Sequence, residues 1–350
     1  MSELIPAWDW QNVVVAPWTT DLPIYGWIVL MGFFVCAACG LAGNYLILRR
    51  MALVGDAISH SVLPGLAIGF LVANAWTVGG SADDASAAGG SSHGFSYGLA
   101  VFIGSLVAGI VTTLLIEIIH KRTRIKQDAA IGITFSTLFA LGVVLISVYA
   151  DKVDLDADCV LHGEIAFVSI QPFLSFAGHE IAPAPVIRMG IVALLTLGLI
   201  VLFYKELLVS SFDPGLASSM GIHATFVHYA LMCWLSVIVI SAFEAVGAIL
   251  VIAMLILPGA TASLLTTRFP KVMGLSVLHA ALSAVLGTHL AIWLNSSTAG
   301  CMVVAGTGLF GLAWVFSPSQ GLLKQWLRRR KTSQESVREP ESEHTGIEGA

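Results

Sequence analysis

The chain has 350 residues, 57% of them hydrophobic and only 11% charged, with a mean hydropathy of +0.86. Soluble domains carry about 25% charged residues, so this composition excludes a soluble globular enzyme and points to an integral membrane protein. The formal net charge of −5 is spread over loops and tail and forms no basic stripe for nucleic acid.

The opening 23 residues contain Trp8, Trp10 and Trp18, with Trp27 close behind, and no Lys or Arg precedes Arg49. Indole rings settle at the membrane–water boundary, so residues 1–23 are expected to form an interfacial segment on the outer face. The missing basic start argues against a signal peptide. Apolar runs of about 18 or more residues then recur, as in spanning helices and unlike the alternating strands of a barrel. They predict an all-α polytopic protein with about nine transmembrane helices, near 24–48, 51–75, 97–119, 129–150, 187–204, 224–243, 246–266, 272–294 and 300–317. Residues 24–317 form the membrane domain. Residues 318–350 are a polar, Glu-rich tail expected to be cytoplasmic and disordered.

Within the first span Cys36 and Cys39 form a CxxC pair, read as two small apolar side chains in a helix interface rather than a redox or zinc site. Cys159 is expected in an outer loop, with no pairing assigned. Basic residues set the orientation. Arg49 and Arg50, HKRTRIK (120–126), Lys205, Arg268 with Lys271, and WLRRRK (326–331) all fall on one side of a nine-span chain. That side is predicted to be the cytoplasm, with the N-terminus outside and the C-terminus inside; Lys152 and Arg188 lie near the other face. The outer loop TVGGSADDASAAGGSSHGFS (77–96) reads as flexible and solvated, Asp83, Asp84 and His93 included. The acidic, partly apolar stretch 151–167 is expected to fold back toward the membrane. Leu-Pro-Gly occurs twice, at 63–65 and 257–259. Proline-interrupted spans in two halves can mark a pathway, and chance recurrence is the other reading.

Span two carries the sharpest signal, MALVGDAISHSVLPG (51–65). Counted from Arg50 at ~1.5 Å per residue, Asp56 lies about 9 Å into the helix and His60 about 15 Å, near the midplane. An aspartate at the centre of a span costs about 2.5–3.5 kcal/mol on insertion scales. Residues four apart share a helix face, so Asp56 and His60 point the same way, with Ser59 beside them. A carboxylate oxygen and a neutral imidazole nitrogen suit Mn²⁺, Fe²⁺ or Zn²⁺ better than Mg²⁺ or Ca²⁺. Pro64 frees the His60 carbonyl, and Gly65 with Gly69 permits close helix approach. Two readings stay open here: a metal or proton path, or an Asp56 paired with Arg49 or Arg50 beside a His60 that donates to a carbonyl. Glu244, at the expected outer turn between spans six and seven, is a weaker entrance candidate. His279 and His289, ten positions apart in span eight, are read as helix-interface residues.

Between spans five and six, SFDPGLASSMGI (211–222) predicts a two-turn helix, Pro214 to Met220. Asp213 caps its amides, Pro214 suits the first position and Gly221 stops it. Leu216 and Met220 form an apolar face, fit either for a groove on a soluble partner or for the lipid surface. No GxxxxGK[ST] occurs, so an ATP-driven process needs its motor on another polypeptide.

With these residues in view, the sequence resembles the permease subunits of bacterial ATP-binding-cassette importers for manganese, zinc and iron, the ABC-3 type. Three segments carry the likeness: GLAGNYLILRRMALVGDAISHSVLPGLAIGF (40–70), SFDPGLASSMGI (211–222) and VGAILVIAMLILPGATASLL (246–265). The resemblance implies a type II importer architecture in the bacterial inner membrane, in which two permeases, identical or homologous, join two cytoplasmic ATPase subunits. A periplasmic or lipid-anchored metal-binding protein feeds the assembly. It implies that Asp56 and His60 face the path and hold the ion transiently, and that Asp213, Pro214, Gly215, Leu216, Met220 and Gly221 contact the ATPase. The only ligand implied is the transported divalent ion, with no resident cofactor and no enzyme activity on this chain. His162, where relatives often carry an aromatic residue, the Gly/Ser insert and the Trp-bearing start depart from the pattern. The rival readings are a proton-coupled secondary transporter and a permease for cobalamin or an iron chelate.

Overall fold

The computed structural model describes residues 6, 8–51, 53–78, 91–149, 165–176, 179–317 and 321. A π-helical turn at Gln11–Val15 and α1 (Ala16–Thr19) lead into α2 (Leu22–Leu48), α3 (Val54–Val78), α4 (Ser91–Arg122) and α5 (Gln127–Val148). A 3-10 turn at Ile165–Ile170 and an antiparallel hairpin, β1 (Phe173–Phe176) with β2 (His179–Pro183), precede α6 (Ala184–Leu202). Then come α7 (Tyr204–Phe212), α8 (Pro214–Ser219), α9 (Ala224–Leu265), α10 (Phe269–Leu294) and α11 (Thr298–Phe316). Among the described residues eight helices are long and apolar enough to cross a membrane, and Leu250–Leu265 is a shorter ninth. The predicted all-α polytopic fold is thus present. The hairpin was not expected, because Phe-Leu-Ser-Phe lacks the alternation that marks a strand.

Spans six and seven are joined without a loop, as the single run α9. A straight helix of 42 residues would reach about 60 Å. Instead His228, near its start, meets Arg49 at the end of α2, and Gly259, near its finish, lies against Asn44 only a turn and a half back in α2. The run therefore folds back on itself. It does so at Gly247, whose φ of 74° and ψ of 171° interrupt the helix in a region that only glycine enters at little cost.

Helix α2 occupies the centre. It is apolar on every side, as a helix enclosed by others must be. Met31, Val35, Cys36, Cys39 and Tyr45 are buried. The first four join Leu235, Ile238, Leu250, Met254 and Leu255 of α9, Ala280 and Ala284 of α10, and Met302 of α11 in one cluster. Cys36 and Cys39 are core residues, as expected. Ile165 and Val168 belong to the same cluster, so the described end of the second outer loop does fold back on the helices. Residues 150–164, with Cys159 and His162, lie outside the described residues, as do the loop at 79–90 and the tail apart from Gly321.

With lipid tails as apolar as leucine, helices associate through close packing and not through escape from water. Both Leu-Pro-Gly sequences serve that packing. A Cβ on Gly142 of α5 would meet Pro64 Cδ at 2.8 Å, and one on Gly40 of α2 would meet Pro258 Cβ at 2.9 Å. The glycine after the first proline, Gly65, faces Gly104 of α4 so closely that a Cβ on either would lie 2.5 Å from the other's carbonyl oxygen. Along that seam Gly65 and Gly69 of α3 run against Ala100, Gly104 and Ala108 of α4, residues spaced by four on each helix.

Candidate functional site

Asp56 lies in the first turn of α3, where the partial positive charge of the helix start favours a carboxylate. His60 is one turn on, and its Nε2 is 3.4 Å from Asp56 Oδ1. Both are partly exposed, His60 by 29% and Asp56 by 39% of the side chain. The imidazole stands beside two rings of α5, with centroids 5.0 Å from Phe135 and 5.9 Å from Phe139. Ser59 contributes nothing to the pair: it is buried, and its hydroxyl donates to the Gly55 carbonyl at 3.0 Å.

The competing reading of the pair required an arginine on Asp56. Among the described residues neither Arg49 nor Arg50 pairs with it. Arg49 is engaged elsewhere: Nε donates to Ser211 Oγ at 3.0 Å, Nη2 to Ser210 Oγ at 3.0 Å and Nη1 to His228 Nδ1 at 2.7 Å. Partial burial lowers the proton affinity of this guanidinium. Beyond His228, Glu117 of α4 lies 3.3 Å from the ring Nε2 and holds Lys121 Nζ at 2.6 Å. Sequence reading missed this cluster. Its signal was a glutamate and a histidine inside apolar spans, with Glu117 and Lys121 four apart on one helix face.

The remaining candidates are accounted for. His279 is buried and bonds the Gly306 carbonyl of α11 at 3.1 Å. His289 Nε2 accepts from Trp18 Nε1 at 3.1 Å, so its proton sits on Nδ1 and goes to the Val13 carbonyl at 2.8 Å. Both are interface histidines. The second of these contacts, with Trp293 Nε1 donating to the Pro6 carbonyl at 3.0 Å and Trp8 edge-on to Trp293, seats the Trp-bearing segment on one end of α10. Glu244 falls within α9, three residues before its break, and its side chain lies outside the described residues. Among the described residues no three His, Cys, Asp or Glu side chains converge.

On the Lys/Arg-rich end of the bundle, Asp213 Oδ1 accepts from the amides of Gly215 at 2.9 Å and Leu216 at 3.0 Å. Pro214 takes the first helical position of α8. The helix ends at Ser219, one residue earlier than predicted. Gly221 then turns left-handed with φ of 82°, and the Ile222 amide reaches back to the Ala217 carbonyl at 2.9 Å, closing a Schellman cap. Ala217 is buried, whereas Leu216, Met220 and the preceding Phe212 are exposed.

The sequence profile described as the ABC 3 transport family matches residues 22–317. The chain belongs to the ABC 3 transport family. This ABC 3 permease is 40% identical over 302 residues to the manganese transport system membrane protein MntD of Bacillus subtilis (strain 168), covering 86% of this chain and 95% of that one. It is 37% identical over 303 residues to the zinc transport system membrane protein TroD of Treponema pallidum (strain Nichols), covering 87% and 77%. Among solved structures it resembles PsaBC from Streptococcus pneumoniae in complex with Fab, with a TM-score of 0.67 and 32% identity over 86% of this chain and 94% of that one. As an ABC 3 permease it is a multi-pass transport subunit, built from the spanning helices described above.

Proposed function

We propose that this permease is the membrane path of an ATP-driven bacterial importer for a divalent transition metal, with Mn²⁺ or Zn²⁺ as cargo. The observation that carries the reading is the Asp56–His60 pair. Inside a spanning helix these two side chains make no other hydrogen bond or ion pair among the described residues, and they stay partly exposed beside α5. Intramembrane ionisable groups left in that state mark ion pathways. Their spacing suits the cargo: two ligand atoms each about 2.1 Å from one ion, at a tetrahedral angle, lie about 3.4 Å apart, the separation observed. The relatives named for manganese and zinc transport support the choice of ions. Fe²⁺ takes the same donors.

On this reading the Asp56 carboxylate and the unprotonated nitrogen of a neutral His60 imidazole hold the ion, and so few ligands let it leave again. A second permease copy would bring a second such pair, making a four-ligand cage on a two-fold axis. The basic end faces the cytoplasm of the inner membrane, with the N-terminus outside. There Asp213, Pro214, Gly215, Leu216, Met220 and Gly221 dock an ATPase subunit, while an external metal-binding protein delivers the ion at the far face, near Glu244. The test is uptake of radioactive Mn²⁺ or Zn²⁺ by a deletion strain carrying Asp56→Ala or His60→Ala, with membrane abundance measured in parallel. We expect uptake to fall to the background of the deletion strain at unchanged abundance; unimpaired uptake in both variants overturns the assignment.

A further inference from the structure

We propose that Arg49 is a positioning residue that couples the exposed helix α8 to the helix bearing Asp56 and His60. The inference rests on the importer reading above and deepens it by naming the route. Arg49 is the C-cap of α2, and its planar fork reaches Ser210 and Ser211 in the last turn of α7. Those two residues lie directly before Phe212, Asp213 and α8. Their hydroxyls donate to the Leu207 carbonyl, so their oxygens are turned to accept from the guanidinium. The third arm fixes the polarity of the next link. Arginine has donors only, so His228 Nδ1 accepts from Nη1, and the ring proton sits on Nε2, facing Glu117 Oε2. One guanidinium thereby ties the ends of α2 and α7 to α9, and through His228 to α4.

The link from Arg49 onward to the metal pair is covalent and short. Arg50 is left-handed, with φ of 58°. Its amide bonds the Ile47 carbonyl at 3.1 Å, and the Met51 amide bonds the Leu46 carbonyl at 2.9 Å. That is a Schellman cap in which an arginine stands where glycine is usual. Met51 is buried beneath it, and its carbonyl takes the Val54 amide that opens α3. On either side of residue 52, which lies outside the described residues, the backbone is hydrogen-bonded, with the Leu53 carbonyl taking the Ala57 amide at 3.1 Å. A displacement of α7 and α8 by a docked partner is therefore delivered to α3 within seven residues of Arg49, at Asp56. The cap on α8 explains why the push is not absorbed there, since Asp213 and Gly221 clamp both of its ends.

The experiment uses the permease reconstituted in proteoliposomes with its ATPase subunit and with the external metal-binding protein supplied on the delivery side. It reads metal ions moved per ATP hydrolysed, with ATP hydrolysis and co-purification of the ATPase as parallel readouts. Arg49→Ala is expected to keep ATPase binding and hydrolysis, while the ratio of ions to ATP falls by about tenfold. Arg49→Lys, which keeps the charge but loses the fork, regains only part of the ratio. A Ser210→Ala, Ser211→Ala double variant leaves Arg49 in place and is expected to lower the ratio as well, and it decides the matter if Arg49→Ala does not accumulate. An unchanged ratio in the double variant, or in an Arg49→Ala protein that assembles, overturns the coupling role. Wild-type vesicles that move neither Mn²⁺ nor Zn²⁺ on ATP addition overturn the importer reading instead, so the two failures are distinguishable.

Discussion

Gly104→Ala tests whether the α3–α4 seam is held at backbone contact. The new Cβ would lie 2.5 Å from the Gly65 carbonyl oxygen, 2.9 Å from Gly69 Cα and 3.1 Å from the Gly69 amide nitrogen. All three neighbours are backbone, so no side chain can swing away. The helices must open by about 1 Å to restore ordinary contact, and overpacking of this kind costs about 1–3 kcal/mol. Alanine returns up to about 1 kcal/mol of helix propensity over glycine. The two effects leave a net loss of about 1 kcal/mol, which lowers the melting temperature by about 2–4 °C on the scale of larger domains. Gly132 of α5 is the internal control, because a Cβ there meets nothing within 4 Å and Gly132→Ala keeps only the propensity gain. The assay is thermal loss of the monodisperse peak of a detergent-solubilised fluorescent fusion. Opposite signs for the two alanines support the seam; an equal or raised melting temperature for Gly104→Ala would refute it.

Three further outcomes follow from single contacts. Asp213→Ala removes two amide acceptors from α8, a cap worth about 1 kcal/mol, and is expected to weaken co-purification of an ATPase subunit, whereas Asp213→Asn preserves it. Trp18→Phe keeps the ring but loses the donor to His289, worth about 1 kcal/mol; protease cleavage within residues 8–20 should accelerate while the rest of the chain stays protected. Gly65→Leu adds a branched chain against Gly104 and Ala108 at the helix that carries Asp56 and His60, so metal uptake should drop with stability, unlike the selective loss in Asp56→Ala.

Much of the architecture was legible because lipid imposes length. The nine apolar runs could be counted from the sequence, and the helices found at them end within a few residues of expectation. The Asp56–His60 face and the cap at Asp213 were legible for the same reason: each depends on residues at most four apart, a distance that helical periodicity resolves. What could not be read were partners across the chain. Arg49 looked like a possible counter-ion for Asp56, seven residues on, and instead reaches Ser210, Ser211 and His228 in other helices. The break of α9 fell at Gly247, three residues past Glu244, at a φ of 74° that only glycine adopts at little cost. Leu-Pro-Gly was visible as a repeated string, but its use, a proline seated on the bare backbone of another helix, needed Gly142 and Gly40 to be brought opposite.

The distribution of satisfied and unsatisfied polar groups then separates structure from transport. Glu117 holds both Lys121 and His228, and Asn44 and Ser276 exchange hydrogen bonds. Each has partners that hold it in place, and each packs helices together. Among the described residues Asp56 has one partner, at 3.4 Å, longer than a good hydrogen bond, and it has the positive start of α3, worth about 0.3–1 kcal/mol. The Asp56 carboxylate thus keeps acceptor positions open inside the bundle, unlike that of Glu117. On the importer reading a dication fills them on arrival, as Lys121 and His228 fill those of Glu117, and vacates them when it departs.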